Sequence, residues 1–428
     1  MAASAAPSAQ PGVWQYRELS RDFWTFFFGA LFYEAGFGLY FFLFNLYLLD
    51  LHFNEQAIGL VNGALSLGLL TTTLPVGILS RKFGNRPLLL FCFVVAPLIN
   101  VLRALWISEP AQIALAFLAG FVMSIWTVCF LPTSASFTSE NNRTSAIGLI
   151  FSVGIGATAL GSAASGYLSH WIGVLSPGFG PAEVKRAVLL LSCGVAALGA
   201  LPLLRLPNRG HDPALNAQPA VRLWDPAVLR NSFLRRYLPC MALWTSLLAA
   251  FTPFASVYFA QQRHIALTRI GLIFSLSQMA QLVSGLVVPL LVRRFGMMKA
   301  ILATQTATAL LLIGLIAPLQ SGWSVGAFIL YSATQWMSST VIYTLLMNAM
   351  PEADRSAASA MTMFCNSLAI ACATSAAGTL LVRFGYGPVL AGMALLEAAL
   401  ATLFRVLLGD RRPRLKVRQP FCAESVTD

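Results

Sequence analysis

The sequence is poor in charged side chains. Asp, Glu, Lys and Arg make up 10% of its 428 residues, whereas hydrophobic residues make up 57%. A soluble globular domain carries about 25% charged residues, so this deficit excludes a chain whose whole exterior faces water. Apolar runs of about 20 residues recur along the chain and match the thickness of the hydrocarbon core of a bilayer. Most of the chain is therefore predicted to lie in a membrane.

Several features of enzymes and metal-binding proteins are also missing. The seven cysteines form no Cys-x-x-Cys pair and the four histidines lie far apart, so no metal site is expected. The sequence contains no Gly-x-x-x-x-Gly-Lys-Ser/Thr loop, which argues against an ATP-driven pump. A membrane enzyme would need clustered His, Asp or Cys near one membrane face, and the sequence has no such cluster. We therefore expect a protein that is not an enzyme and that uses no cofactor.

The apolar runs predict helices. Only helices and closed barrels satisfy their backbone polar groups inside a bilayer, and these runs are continuous rather than alternating. Twelve spans are predicted, at residues 23–49, 56–79, 87–107, 111–133, 145–171, 187–204, 237–260, 268–292, 299–319, 323–347, 356–383 and 387–408. The predicted fold class is thus an all-α polytopic membrane protein with twelve transmembrane helices.

A short basic turn occurs twice, at nearly half the chain length. The stretch 77–86 (GILSRKFGNR) follows span two and the stretch 289–299 (PLLVRRFGMMK) follows span eight, so that Arg293 lies 212 positions after Arg81 (293 − 81). The same offset relates Ile58-Gly59-Leu60 to Ile270-Gly271-Leu272, Glu140 and Arg143 to Glu352 and Arg355, and Gly166 and Gly173 to Gly378 and Gly385. This repetition indicates two pseudo-symmetric six-helix bundles with the same topology.

The basic residues set the orientation. With both termini inside, the inner loops and tails hold 22 of the 28 Lys and Arg residues, because six lie near the outer face (28 − 6). This asymmetry places both termini in the cytoplasm, so the net charge of +12 is interpreted as loop charge and no nucleic-acid partner is expected. The predicted segments are a cytoplasmic tail (1–22), an N-terminal bundle (23–204), a cytoplasmic central loop (205–236), a C-terminal bundle (237–408) and a basic cytoplasmic tail (409–428).

The duplication, the basic central loop and the turn after span two resemble the major facilitator superfamily of secondary transporters. That family's turn reads Gly-x-x-x-Asp-Arg/Lys-x-Gly-x-Arg/Lys, and Gly77, Lys82, Gly84 and Arg86 fit it, whereas Arg81 stands where the family usually has Asp. The resemblance implies alternating access between two bundles, with spans one, four, seven and ten lining a central cavity. We expect a monomer in a bacterial inner (plasma) membrane, with the lipid bilayer, a small-molecule solute and protons as its partners.

The departure at Arg81 leads to a hypothesis about the cytoplasmic gate. In the family the acid at this position helps to hold the inner gate closed, so acids from elsewhere would have to replace it here. We expect two ion-pair latches at the cytoplasmic gate, with the charges reversed relative to the family. In each latch, the acids that open span five or span eleven face the basic turn of the opposite bundle. The candidate gate residues are Gly77, Arg81, Lys82, Gly84, Arg86, Glu140, Arg143, Arg293, Arg294, Glu352, Asp354 and Arg355. The alternative is that these charges only set topology at the headgroup surface.

Glu34 is the candidate proton-coupling residue. It lies near the middle of span one, where a charge costs about 2.5–3.5 kcal/mol or more, so it should face a cavity or be protonated. It is interpreted as a proton carrier or as the counter-charge of a cationic solute; the alternative is a neutral packing carboxyl. Glu397, in the middle of span twelve, is expected to pair with a neighbouring helix; the alternative is a role in transport. Arg103, near the outer end of span three, is expected to reach the headgroups.

Uncharged polar and aromatic residues recur along the predicted cavity helices. The substrate-cavity candidates are Phe41, Asn45, Asn62, Trp126, Trp244, Tyr258, Gln278, Gln281, Gln335, Trp336, Tyr343 and Asn366. Each alone is more often an interhelical hydrogen bond or a packing residue, but together they indicate aromatic faces, amides and a single acid. This lining suits a moderately apolar or amphipathic solute, neutral or cationic. We expect proton-coupled secondary transport; the alternatives are an uncoupled facilitator, a metabolite uptake carrier, or a non-transporting sensor or scaffold.

Overall fold

The computed structural model describes residues 19–138, 142–207, 230–317, 321–351 and 354–409. The helices are α1 Arg21–Asp50, α2 Glu55–Phe83, α3 Asn85–Leu105, α4 Glu109–Ser136, α5 Arg143–Leu175, α6 Pro181–Leu198, α7 Ser232–Phe251, α8 Leu267–Phe295, α9 Met297–Ile316, α10 Ser321–Ala349, α11 Arg355–Phe384 and α12 Tyr386–Leu408. A single turn, Ala200–Leu203, extends α6, and α7 continues through a 3-10 turn, Thr252–Phe254, into the helix Ala255–Gln261. The described part of the chain contains no strand.

The predicted fold class is confirmed. Ten of these helices are long and apolar enough to cross a bilayer, and the other two, α2 and α10, contain 29 residues each, more than the roughly 20 that crossing requires. Helix α7 begins at Ser232, inside the segment 205–236 that the sequence predicts as a loop. Residues 1–18, 208–229 and 410–428, which include most of the predicted tails and central loop, lie outside the described residues.

The repeated basic turn has the same backbone conformation in both bundles. Gly84 has a φ of 84° and Gly296 a φ of 80°, and each ends a helix, α2 or α8, one residue before the next helix begins. Their N–H groups donate to Ser80 O and Val292 O, both at 2.9 Å. A positive φ favours glycine because a Cβ atom is strained there, which explains why the motif keeps a glycine at this position.

The repeat is less regular at the ends of α5 and α11. Gly385 has a φ of 75° and ends α11. Its sequence counterpart, Gly173, lies inside α5, which continues to Leu175. The two bundles therefore already differ in structure at Gly173, although the sequence match extends to this residue, because α5 continues through this position without a turn.

Helices α2 and α11 form one of the two most extensive helix contacts between the bundles in the described part of the chain. A Cβ atom on Gly59 would lie 2.5 Å from Thr374 O, and one on Gly378 would lie 2.3 Å from Glu55 O. These distances are too short for any larger side chain, so the two helices meet backbone to backbone, as small residues allow in membrane proteins.

The second contact, between α5 and α8, repeats this arrangement. A Cβ atom on Gly271 would lie 2.7 Å from Ser162 O, and one on Gly166 would lie 3.0 Å from Leu267 O. Each of these four residues differs by 212 positions from its equivalent in the α2–α11 contact (271 − 59, 374 − 162, 378 − 166 and 267 − 55). The two bundles therefore meet through a pseudo-symmetric pair of glycine contacts.

Both contacts lie in the half of the molecule that is remote from the chain termini, where α2 and α8 begin and α5 and α11 end. In the other half the glycines of α5 make no such contact: a Cβ atom on Gly148 or Gly156 would meet no atom of the described chain within 4 Å. Because the close glycine contacts lie on the side remote from the termini, we infer that the space between the bundles is closed on that side and opens toward the termini.

Candidate functional site

A cavity of about 440 Å³ lies between the two bundles. The N-terminal bundle contributes Phe27, Ala30, Leu31, Glu34, Trp126, Thr127, Phe130, Leu131, Ile150, Phe151, Val153, Gly154, Ile155 and Thr158, and the C-terminal bundle contributes Gln278, Gln281 and Trp336. Pockets for small organic ligands typically measure about 300–1,000 Å³. The cavity is thus large enough for a small solute, and its walls belong to both bundles.

Glu34 is the single charged side chain among the described residues that line this cavity. Its Oε1 atom accepts a hydrogen bond from Trp126 Nε1 at 2.8 Å, and its Oε2 atom lies 3.4 Å from Thr158 Oγ1. The Thr158 hydroxyl also donates to Gly154 O at 3.0 Å. Because a hydroxyl has one proton to donate, the indole is the stronger partner of the carboxyl group.

Packing around Trp126 fixes the position of its N–H group. The Trp126 ring lies 4.6 Å from Phe130, 5.3 Å from Tyr33 and 5.4 Å from Phe93, measured between ring centroids. Tyr33 in turn stacks on Phe93 at 4.2 Å. Aromatic pairs at these separations contribute beyond the area they bury, so α1, α3 and α4 together orient the indole toward Glu34.

The C-terminal bundle presents amides and a second indole to the cavity. Gln278 Nε2 donates to Ser162 Oγ at 3.3 Å, a hydrogen bond that crosses between α8 and α5. Gln281 lies about one turn further along α8, on the same wall. Trp336, on α10, is 42% exposed, and so leaves much of its ring free for a solute.

The structure brings five of the sequence-predicted residues together at this cavity: Glu34, Trp126, Gln278, Gln281 and Trp336. Sequence analysis missed the contacts of the Glu34 carboxyl with α5. Thr158 lies in a run of small residues that the sequence explains equally well by helix packing, so no local signal marks it. The aromatic edge of the cavity was also missed, because aromatic residues occur on every face of α1.

Three other candidates lie toward the closed side. Asn45 Nδ2 donates to Pro253 O at 2.7 Å, which ties α1 to the 3-10 turn in α7 across the bundle contact. Asn62 Nδ2 donates to Asn45 Oδ1 at 3.2 Å. Phe41 stacks on Phe37, with 4.0 Å between ring centroids. None of the three candidates, Phe41, Asn45 or Asn62, lines the cavity in the described conformation.

The remaining candidates stabilise the C-terminal bundle internally. Asn366 accepts a hydrogen bond from Thr245 at 3.0 Å and donates one to Tyr343 OH at 2.9 Å. Tyr258 OH donates to Leu315 O at 2.6 Å. Trp244 and Gln335 are buried, with 3% and 4% exposure. The structure does not bring Trp244, Tyr258, Gln335, Tyr343 or Asn366 to the cavity.

Two candidate gate arginines bind carbonyl groups at helix ends in their own bundles. Arg86 donates to Leu203 O at 3.2 Å and to Leu204 O at 2.6 Å, just beyond α6. Arg355 Nε donates to Met347 O at 3.0 Å, near the end of α10. A cation at a helix C-terminus is favourable because the last carbonyl groups have no partner within the helix.

The other gate candidates lie around the open end. The Lys82 and Arg294 cations lie 5.3 Å and 5.5 Å from the ring centroids of Phe83 and Phe295. Gly77 lies in α2, Gly84 forms the turn after it, Arg143 and Arg293 are exposed, and Asp354 immediately precedes α11. Glu140, Glu352 and the Arg81 side chain lie outside the described residues. The hypothesis of reversed latches therefore stays a prediction. It concerns a conformational state in which the two bundles meet at the end where the termini lie.

Two charged residues inside spans differ from their expected placement. Glu397 is fully buried, and neither carboxyl oxygen has a hydrogen-bond partner in the described chain, so the expected pairing with a neighbouring helix is wrong. Arg103 is 3% exposed, and its guanidinium lies 4.1 Å from the Phe44 ring centroid and 3.3 Å from Asn100 Oδ1. The expectation that Arg103 reaches the headgroups is wrong as well, because a cation–π contact and an amide hold it inside the bundle.

Comparisons with known proteins are consistent with this architecture. The family model for the Major Facilitator Superfamily matches residues 26–374, whereas a comparison with curated protein sequences found no match. Among solved structures, a variant of the nucleoside transporter NupG is 15% identical, with a TM-score of 0.76, covering 91% of this chain and 100% of that one. A bacterial metal transporter is 18% identical (TM-score 0.67, covering 92% and 100%). A D-xylose–proton symporter is 15% identical (TM-score 0.66, covering 89% and 95%). At these identities the likeness to the solved structures shows the fold.

Proposed function

The chain belongs to the Major Facilitator Superfamily, and we propose that it is a secondary transporter that carries a small organic solute through the cavity around Glu34. One observation carries this proposal: the cavity has walls from both bundles, and close glycine contacts join the bundles on one side of it. Rocking of one bundle against the other would close the open side and open the closed side, which is alternating access. A rigid sensor or scaffold would not need walls from two separable bundles.

The cavity lining supports a moderately apolar or amphipathic solute that is neutral or cationic. Trp126 and Trp336 supply aromatic faces, and Gln278 and Gln281 supply amide donors and acceptors. The described lining contains no Lys or Arg side chain, so an anionic solute would meet the Glu34 carboxyl group without a compensating cation. Aromatic faces beside an acid suit a ring system or an organic cation.

We propose that transport is coupled to protons through Glu34. The indole N–H of Trp126 stabilises the charged carboxylate, whereas the apolar walls favour the neutral acid. The carboxyl group can therefore adopt both protonation states. The carboxyl group also faces a cavity that opens toward one side, which gives a proton a route to it. The similar D-xylose–proton symporter is a precedent for proton coupling in this fold.

Two alternatives within transport rest on the same carboxyl group. A cationic solute could use Glu34 as its counter-charge and move without a proton, as in an uncoupled facilitator. The solute could also move in either direction, as a nutrient taken up or a compound exported. We propose that both termini face the cytoplasm of a bacterial inner membrane, because basic residues are concentrated on that side of the predicted topology.

A thermal-shift screen of the purified protein against metabolites and organic cations tests the solute class. A solute that occupies the cavity should raise the melting temperature of the wild type, and this shift should vanish in Trp336→Ala. The matched control is Trp323→Ala, which removes an exposed indole near the start of the same helix, away from the cavity lining. A solute that stabilises wild type and Trp336→Ala equally would contradict the assignment of the site.

A further inference from the structure

A second large cavity lies on the outer wall of the N-terminal bundle, between α1 and α6. Its volume is about 620 Å³ and its lining consists of Arg21, Asp22, Thr25, Phe28, Phe32, Leu198, Leu201, Pro202 and Arg205. None of these residues lines the cavity around Glu34. This α1/α6 groove lies at the end of the molecule where α1 begins and α6 ends, and thus on the side of the chain termini.

The lining residues change from charged to apolar along both helices. On α1, Arg21, Thr25, Phe28 and Phe32 follow one another at intervals of three or four residues and therefore share one face. Phe28 and Phe32 are 49% and 40% exposed. From Arg21 to Phe32 the helix rises about 16 Å, at 1.5 Å per residue, which is close to half of the roughly 30 Å hydrocarbon core. The groove therefore matches the depth of one leaflet.

On the α6 side of the groove the apolar residues come first along the chain and the charged residue comes last. Leu198 and Leu201, which are 46% and 58% exposed, lie deeper, and Arg205 lies beyond the end of the helix. Large apolar side chains this exposed need an apolar neighbour. In a membrane-embedded bundle, that neighbour is an acyl chain at this depth.

The charged end of the groove carries an excess of positive charge. Arg21 and Arg205 are both exposed, and the described residues include no ion-pair partner for either one. Asp22 is the single acid among the described residues of the lining. Arg86, which is not part of the lining, adds a further guanidinium at this end of the bundle, since it donates to Leu204 O at 2.6 Å. A planar guanidinium matches the geometry of a phosphate group.

We propose that the α1/α6 groove binds an anionic phospholipid of the surrounding leaflet. The phosphate lies between Arg21 and Arg205, and one acyl chain lies along Phe28, Phe32 and Leu201. Basic sites between transmembrane helices select anionic headgroups because each Lys or Arg near the surface attracts them. A free phosphate compound would satisfy the arginines but would leave the apolar part of the groove uncovered. Because α1 also carries Glu34 on its cavity side, the bound lipid supports a helix that lines the transport cavity.

Native mass spectrometry of the full chain tests this inference. The protein, released from detergent micelles, is titrated with phosphatidylglycerol or phosphatidylethanolamine carrying identical acyl chains. The wild type should retain phosphatidylglycerol in preference to phosphatidylethanolamine. The double variant Arg21→Gln/Arg205→Gln should bind phosphatidylglycerol about 30-fold more weakly, as expected from two surface cations. Arg235→Gln/Arg236→Gln, which removes two exposed arginines near the start of α7, should bind it as the wild type does.

Three results would overturn the proposal. The first is equal retention of the two lipids by the wild type, a comparison that needs no variant and so does not depend on how a variant folds. The second is an equal loss of phosphatidylglycerol in the two double-arginine variants. The third is displacement of the lipid by millimolar glycerol 3-phosphate, which would identify the groove as a site for a soluble phosphate compound.

Discussion

Trp126 Nε1 donates a 2.8 Å hydrogen bond to Glu34 Oε1 and so joins α4 to the charged side chain of the cavity wall. Three aromatic rings, Phe130, Tyr33 and Phe93, hold the indole at centroid distances of 4.6 to 5.4 Å. Packing in the N-terminal bundle therefore fixes the indole that binds the carboxyl group. This arrangement makes Trp126 a positioning residue for the proposed proton carrier.

Trp126→Phe should lower solute flux while leaving the protein folded. Phenylalanine keeps the aromatic packing but removes the N–H donor. A hydrogen bond to a charged group contributes about 1.5–3 kcal/mol, so we expect flux to fall at least about tenfold. Flux into proteoliposomes, normalised to inserted protein, measures the effect. Trp171→Phe, an exposed indole on the same chain, is the control, and flux in Trp126→Phe equal to that control would contradict the role of the bond.

Gly378→Ala should disfavour closure of the side remote from the termini. A Cβ atom there would lie 2.3 Å from Glu55 O, so α2 and α11 would have to move apart. Gly392→Ala on α12 is the matched control, because its Cβ would meet no atom within 4 Å. Spin labels at Pro177→Cys and Gln262→Cys, which are exposed loop positions of the two bundles, should report a longer distance in Gly378→Ala.

The same distance distribution in Gly378→Ala, Gly392→Ala and the wild type would show that the glycine contact does not determine closure. The native cysteines must first be replaced, and the labelled background must still transport solute.

The sequence predicts much of this fold because the duplication repeats the same motifs at a constant offset. The basic turns containing Gly84 and Gly296 mark equivalent helix ends, and the structure gives them the same positive φ. The 212-residue offset also relates Gly59 to Gly271 and Gly166 to Gly378, although their role as contacts between bundles becomes visible only in three dimensions. A repeated glycine in a helix indicates close packing, but it does not identify the partner helix.

The cavity is less predictable than the fold. Glu34 could be selected because a charge in a span is costly. Trp126, Gln278, Gln281 and Trp336 could be selected because uncharged polar and aromatic residues recur along the predicted cavity helices. Asn45 satisfies the same sequence criteria, yet it lies in the contact between the bundles. Which level of a helix lines the cavity depends on the conformational state, and the sequence of one helix does not contain that information.

The reversed-latch hypothesis predicts energetic coupling between Glu352 and Arg81. If the two side chains attract each other when the terminal side closes, Glu352→Gln and Arg81→Gln should not have additive effects on flux. We expect a coupling energy of at least about 0.5 kcal/mol, as for residues in contact. The measurement is a double-mutant cycle of flux in proteoliposomes. Additive effects of the two substitutions would support the alternative, in which these charges only set topology.

Solute flux in proteoliposomes, with and without an imposed pH gradient, tests the proton coupling by Glu34 most directly. The wild type should respond to the gradient, whereas Glu34→Gln, which keeps the size of the side chain but cannot exchange a proton, should not. Glu397→Gln is the matched control, since Glu397 is a buried acid away from the cavity, and it should respond as the wild type does. Wild-type flux that is indifferent to the gradient, or a gradient response that persists in Glu34→Gln, would contradict the account.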